Sequence, residues 1–253
     1  MKQLFYYIFL SILLCTAYSC KKDNYDAPNA TLNGAVTDAA TGQTVQTEIG
    51  SGGTRIKLLE ISWSATPTPY YIFSMQDGTY NNTKIFASTN KITAEGAFVP
   101  MVQTDAAGNT TIDQTQTVTI KGKGTATVNF SVEPFLRIDW IGTPVYNADG
   151  TITAQFKITR GTANPAFQLN ISDVFLFVSS TRYLGNNDYD NRYSNHVTYD
   201  GASGNNIIGQ TLTYTTTGGA LPTKRDWFLR IGARVAYGLN YYNYTDVKTV
   251  TVP

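Results

Sequence analysis

The side chains best suited to recognising a ligand lie between Arg182 and Tyr199, in a run that reads RYLGNNDYDNRYSNHVTY. Aromatic rings alternate there with amides, carboxylates and guanidinium groups. That mixture suits a sugar, whose C–H faces stack on rings while its hydroxyls bond to planar polar groups. Tyr183, Tyr189, Arg192 and Tyr193 are the candidates in this run. A second aromatic stretch, Leu239 to Tyr244, adds Tyr241, Tyr242 and Tyr244. Long loops without structure of their own are often functional. The competing reading is a solvated loop whose tyrosines pack against the body of the domain. Asn186, Asp188 and Asp190 alternate as oxygen donors, and a calcium site there is a minority reading. The glycine and the terminal glutamate of an EF-hand loop are missing.

Catalytic chemistry finds little support. His196 is the single histidine, so no second imidazole is present to share a metal or relay a proton. Four glutamates occur, Glu48, Glu60, Glu95 and Glu133, and no local pattern proposes the facing carboxyl pair that glycoside hydrolysis needs. Gly50-Ser51-Gly52-Gly53 lacks the lysine of a phosphate-cradling loop. The expectation is a protein that is not an enzyme and needs no cofactor. Lys plus Arg is 19 against 18 for Asp plus Glu, a balance that argues for no nucleic-acid partner.

The chain opens with a short positive segment, Met1-Lys2-Gln3, and an apolar run from Leu4 to Leu14. The run is too short to span a bilayer and has the length of a signal-peptide core. Small residues at Ala17 and Ser19 precede Cys20, which reads as the acylated first residue of a lipoprotein. On that reading 1–19 is the signal peptide, 20–30 is a tether, and the membrane is a partner through the lipid anchor. An ordinary secretory signal with an incidental cysteine is the alternative. Both cysteines, Cys15 and Cys20, fall in this leader, so the body has no disulfide and no thiol site.

The elements that would position the aromatic loops read as strands. No long stretch carries a helical period, and Thr-rich alternation recurs throughout. The fold class expected is all-β, with two β-sandwich domains in tandem, 31–131 and 132–253, and a linker at Val132-Glu133-Pro134. In the first domain strands are predicted over Thr31 to Asp38, Arg55 to Trp63, Tyr70 to Met75, Ile85 to Ile92 and Gln116 to Val132. Ile56 and Leu58 fall on core positions, and Trp63, Tyr70 and Tyr71 are weaker binding candidates that read rather as core or inter-domain packing. Gly42 and the Asp77-Gly78 pair are turn signals. In the second domain Ile152, Ala154, Phe156 and Ile158 share one face. Asp173 to Ser179 (DVFLFVS) reads as a strand buried on both faces.

Gly34-x-Val36-x-Asp38-x-x-Thr41-Gly42-x-x-Val45 resembles the opening of carboxypeptidase-regulatory-like, transthyretin-like β-sandwich domains. Asp77-Gly78-Thr79-Tyr80 with Ile85-Phe86 resembles the later hairpin of that family. Leu221 to Arg234, with Trp227 and Arg230, resembles the E–F corner and F strand of fibronectin type III and Ig-like domains, with Trp in place of the usual corner Tyr. Together with Arg55 to Trp63, these motifs resemble an uncharacterised family of two-domain Bacteroidota-type surface lipoproteins. Its members are often encoded beside SusC/SusD-type glycan importers, and Lys21-Lys22-Asp23-Asn24 loosely resembles the charged signals that send such lipoproteins to the cell surface. The resemblance implies an outer-membrane, surface-exposed accessory of polysaccharide utilization, with a polysaccharide or oligosaccharide and the importer as partners. The rival reading is a structural or adhesive surface protein whose aromatic loops meet another protein.

Overall fold

The structure, a computed structural model, describes residues 27–253. The predicted signal peptide, Cys20 and most of the tether lie outside the described residues. Ten strands make the first half: β1 (Ala30–Asp38), β2 (Arg55–Glu60), β3 (Tyr70–Phe73), β4 (Thr79–Ile85), β5 (Ser88–Glu95), β6 (Val102–Thr104), β7 (Thr110–Asp113), β8 (Gln116–Ile120), β9 (Thr125–Thr127) and β10 (Phe130–Val132). β1 pairs antiparallel with β4 on one edge and parallel with β9 and β10 on the other. A second sheet runs β3-β2-β5-β8, antiparallel throughout.

Between these sheets the alternating apolar residues close a core that includes Leu32, Val36, Ile56, Leu58, Ile92 and Phe130. Gly34 is required where β1 passes Val128, because an added Cβ would fall 1.8 Å from the Val128 carbonyl oxygen. Gly42 and Gly78 both adopt positive φ, as their turn signals predict. The strand expected over 85–92 is instead a reversal. β4 ends at Ile85, the chain turns at Phe86-Ala87, and β5 starts at Ser88. Ile85 and Ile92 are both core residues, so the apolar pattern continues across the turn and hides it.

Nine strands make the second half: β11 (Leu136–Trp140), β12 (Val145–Tyr146), β13 (Ile152–Arg160), β14 (Ile171–Ser179), β15 (Asn195–Thr198), β16 (Thr211–Thr215), β17 (Arg225–Val235), β18 (Asn243–Tyr244) and β19 (Lys248–Val252). One sheet gathers β11, β12 and β16 around β13; the other runs β15-β14-β17, with β18 and β19 also on β17. The fold is all-β, with two packed pairs of sheets. Ile152, Ala154, Phe156 and Ile158 face the core together, opposite Val174, Leu176 and Val178 of β14 and Leu229 and Ile231 of β17. The Trp227 indole is buried and donates its N–H to the Pro222 carbonyl at 3.0 Å, a bond that the missing corner hydroxyl would otherwise supply.

The two halves are tied, not loosely linked. Val132 and Pro134 are buried, and the Val99 and Phe135 amides donate to the Glu133 and Ala97 carbonyls at 2.9 and 3.1 Å. Asp38 at the end of β1 accepts two bonds from the Arg137 guanidinium of β11. Asn243 bridges the halves, accepting from the Leu136 amide and donating to the Ala97 carbonyl. Val132-Glu133-Pro134 is therefore a hydrogen-bonded junction between the halves. At its centre lies Arg230, 0% exposed. Its guanidinium donates to the carbonyls of Thr47 and Gln76 from the first half and of Leu184 and Thr245 from the second.

Candidate functional site

The aromatic residues singled out in the sequence do not form one exposed surface. β14 is apolar on both faces, and its outer face, Phe175 and Phe177, is covered by Leu184, Tyr242 and Tyr244, with Tyr189 against them. Tyr242 and Tyr244 are thus core residues, and burial pushes both hydroxyls well above the ordinary tyrosine range. Gly232 of β17 leaves room for this cluster; a Cβ there would meet the Phe177 ring at 2.7 Å. Tyr193 is buried too, packed edge-on against Trp227 with ring centroids 5.3 Å apart. The corrections at Tyr242 and Tyr244 share one cause: the second apolar face of β14 must be covered, and these tyrosines cover it, whereas Tyr193 joins the core between the two sheets. The last residues of the predicted loop, Asn195–Thr198, form β15 against β14.

Of the remaining candidates, Tyr183 is 57% exposed and edges a small cleft with Ile49 and Asp188. Arg192 is exposed, forms a two-bond pair with Asp190, and sits 5.1 Å over the Tyr193 ring. That pairing occupies the Asp190 carboxylate, while Asp188 accepts from the Thr181 hydroxyl at 3.1 Å. Both carboxylates thus have donors within the protein, and among the described residues no cluster of three or more His, Cys, Asp or Glu could hold a metal. His196 stacks on Phe175 at 4.3 Å and contacts Asp173 at 3.2 Å, a structural role. Asp173 also accepts from Arg234, Tyr242 and Ser172. Burial works to raise its carboxyl, but these donors outweigh burial and hold it below the usual carboxylate range.

A groove of about 540 Å³ lies where the halves meet. Its floor is the outer face of β2 and β5, built by the pairing register. Across the sheet, Phe73, Arg55 and Glu95 form one row, Tyr71, Lys57 and Thr93 the next, and Leu59 and Lys91 a third. Its walls are Met101 and Val102 at β6 on one side and Tyr237, Gly238 and Leu239 of the second half on the other. Arg55 is fixed: its Nε donates to Glu95 at 2.7 Å, and its guanidinium lies 4.3 Å over the Tyr71 ring. Tyr237 is fixed by edge-on packing against Phe135 and Phe167 at 5.2 and 5.7 Å. The Tyr241 hydroxyl donates to the Ser51 carbonyl at 2.8 Å, pinning this wall to the first half.

Of the six tyrosines named from the sequence, Tyr241 alone stands by this groove. Arg55, Glu95, Lys57, Lys91 and Tyr237 were not singled out. Pockets of this size, mostly apolar with a few converging polar groups, are where small ligands bind. The groove offers ring and aliphatic faces beside a planar guanidinium, a carboxylate and hydroxyls.

Residues 30–133 match the N-terminal domain described as "Protein of unknown function (DUF3823)". Nothing among the curated proteins matches the chain. Among solved structures, "a putative carbohydrate binding protein" from Bacteroides uniformis is 22% identical, with a TM-score of 0.64, over 89% of this chain and 100% of that one. A DUF3823 family protein from Parabacteroides merdae is 19% identical, with a TM-score of 0.63 over the same shares. Those two likenesses bear on the fold alone. A DUF3823 family protein from Bacteroides uniformis is 32% identical, with a TM-score of 0.82, over 89% of this chain and 100% of that chain. With that identity over the whole of the relative, the chain belongs to the DUF3823 family.

Proposed function

We propose that the protein is a non-catalytic, glycan-binding surface lipoprotein, acylated at Cys20, held at the outer membrane and accessory to a SusC/SusD-type importer. The observation that carries the binding role is the inter-domain groove. Tyr237 and Leu239 present apolar faces to it, and Arg55, Glu95, Lys57 and Thr93 present hydrogen-bonding groups across the same floor. A pyranose has the matching pair of surfaces. The description of one structural relative as a putative carbohydrate binding protein supports the same class of ligand. The anchor rests on the leader sequence, and the importer on the family resemblance stated above.

The test is affinity electrophoresis of the full chain across diverse polysaccharides. Tyr237→Leu keeps an apolar side chain at this wall but removes the ring face. Loss of one stacked aromatic costs about 1 kcal/mol, or roughly fivefold in affinity. Tyr183→Ala, outside the groove, leaves retention unchanged. If the wild type is retained by none of the polysaccharides, the glycan reading fails. Binding that survives Tyr237→Leu and Arg55→Gln together but falls in Tyr183→Ala moves the site to the other loop.

A further inference from the structure

The first half has a second exposed aromatic surface, at the end opposite the inter-domain junction. Trp63, in the β2–β3 loop, is 57% exposed, and Phe86, in the β4–β5 turn, is 43% exposed. Their rings meet edge-on at 6.4 Å. Ile61 beside them is exposed as well. The cleft they form is lined also by Ala27, Asn29 and Lys123, and no carboxylate is among its lining residues. Lys84, Lys121 and Lys123 are exposed on the same end, from the close of β4 and the β8–β9 turn. The Asn29 side chain accepts from the Lys123 amide at 3.1 Å, which fixes the entering chain against this turn.

We propose that this end of the protein, Trp63, Phe86 and Ile61 ringed by Lys84, Lys121 and Lys123, docks on the lipid surface that holds the anchor. The inference rests on the Cys20 reading and adds to it an orientation. Ala27 lines the cleft, and it stands seven residues beyond Cys20. Seven residues span at most about 25 Å. The bilayer surface is therefore within reach of this patch and of few others. Tryptophan and phenylalanine with an apolar neighbour suit the headgroup boundary. Lysines around them suit an anionic surface, with an effect that fades over a Debye length. At the far end of β1, Asp38 meets Arg137, so docking this pole directs the second half and the groove away from the membrane.

The experiment reconstitutes the acylated full-length protein into vesicles of phosphatidylethanolamine and phosphatidylglycerol with brominated acyl chains. Tryptophan emission of the wild type is compared with that of Trp63→Phe, which keeps Trp140 and Trp227. The expected result is a blue-shifted Trp63 emission that the bromolipid quenches, with no such component in Trp63→Phe. Each of the three lysines changed to Gln shifts the docked-to-undocked ratio by about fivefold, so the triple variant loses the quenching already at low salt, whereas the wild type loses it as salt is raised. Equal quenching in wild type and Trp63→Phe, with both bound to vesicles, overturns the docking and leaves the anchor standing. Failure of the wild type to associate with vesicles removes the anchor and the docking together. Shielding of Trp63 only after an outer-membrane protein fraction is added also overturns it, in favour of a protein partner.

Discussion

Arg230→Met is the sharpest test of how the two halves hold together. Arg230 is fully buried on β17 and donates to four backbone carbonyls, at 2.9 Å to Thr245, 2.8 Å to Thr47, 3.2 Å to Leu184 and 3.4 Å to Gln76. Its guanidinium also lies 4.2 Å over the Tyr244 ring. Burial pushes its pKa down to about 10, so the group stays protonated at neutral pH. Methionine fills much of the volume and satisfies none of these acceptors. It also strips Glu48, buried beside Tyr244, of its cationic neighbour. Removing one member of such a buried charged network costs about 3–5 kcal/mol. At about 2–4 °C per kcal/mol for a chain of this size, the melting temperature falls by about 10 °C. Thermal unfolding followed by circular dichroism reads this directly. Because two of the acceptors lie in the first half, limited proteolysis of the variant releases fragments cut near 132–134, which the wild type protects. Arg230→Lys is intermediate, since one ammonium cannot reach four carbonyls. A melting temperature within about 2 °C of wild type, with the junction still protected, would falsify the role given to Arg230.

Tyr242→Ala lowers stability by about 3–5 kcal/mol as a truncated buried aromatic, whereas Tyr183→Ala changes it by less than about 0.5 kcal/mol; chemical denaturation of both separates the cover of β14 from the exposed loop. Burial works to raise the Asp38 carboxyl, but the Arg137 guanidinium and the Ala40 amide hold it below the usual range. Its contribution is therefore complete above about 3.8 and lost as pH falls through the lower folded value, so Arg137→Gln moves the acid-unfolding midpoint upward. Glu48 titrates the other way. Burial raises its carboxyl above 4.5, and the Asn187 amide, the Tyr244 hydroxyl and Arg230 offset only part of that. The folded state then binds the extra proton, and stability declines as pH rises through that window. Glu48→Gln removes the decline, so its advantage over wild type grows with pH; a constant difference between pH 4 and 7 would exclude the assignment.

Strand positions were legible where alternation is local. Ile152, Ala154, Phe156 and Ile158 are four consecutive inward positions of one strand, and their pattern needs nothing beyond β13 to be read. The all-apolar run through β14 likewise announces burial on both faces. What that run does not announce is the identity of its outer cover. Tyr189, Tyr242 and Tyr244 lie in segments more than forty residues apart, and only the fold brings them onto Phe175 and Phe177. A tyrosine carries the same composition signal whether its ring covers a sheet or meets a sugar. β4 was missed for a related reason: Asn81, Asn82, Thr83 and Lys84 form a polar stretch that reads as loop, yet Tyr80 and Ile85 fix its two ends in the core.

The groove escaped the sequence for a stricter reason. Its floor alternates with the core positions of β2 and β5, so Arg55, Lys57 and Leu59 look like the ordinary solvent face of an amphipathic strand. Only the register that sets Arg55 opposite Glu95, and the loop that brings Tyr237 from 182 residues away, turn that face into a concave one. The same asymmetry explains Arg230. Its place nine residues after Leu221 matched a pattern of the second domain, but its acceptors Thr47 and Gln76 belong to the first. A residue that reads as internal to one sandwich thus fixes the angle between two. The groove's walls come from both halves, so its shape depends on that angle. Arg230→Met therefore carries a second expectation: retention on any polysaccharide the wild type binds should weaken even at temperatures where the variant remains folded.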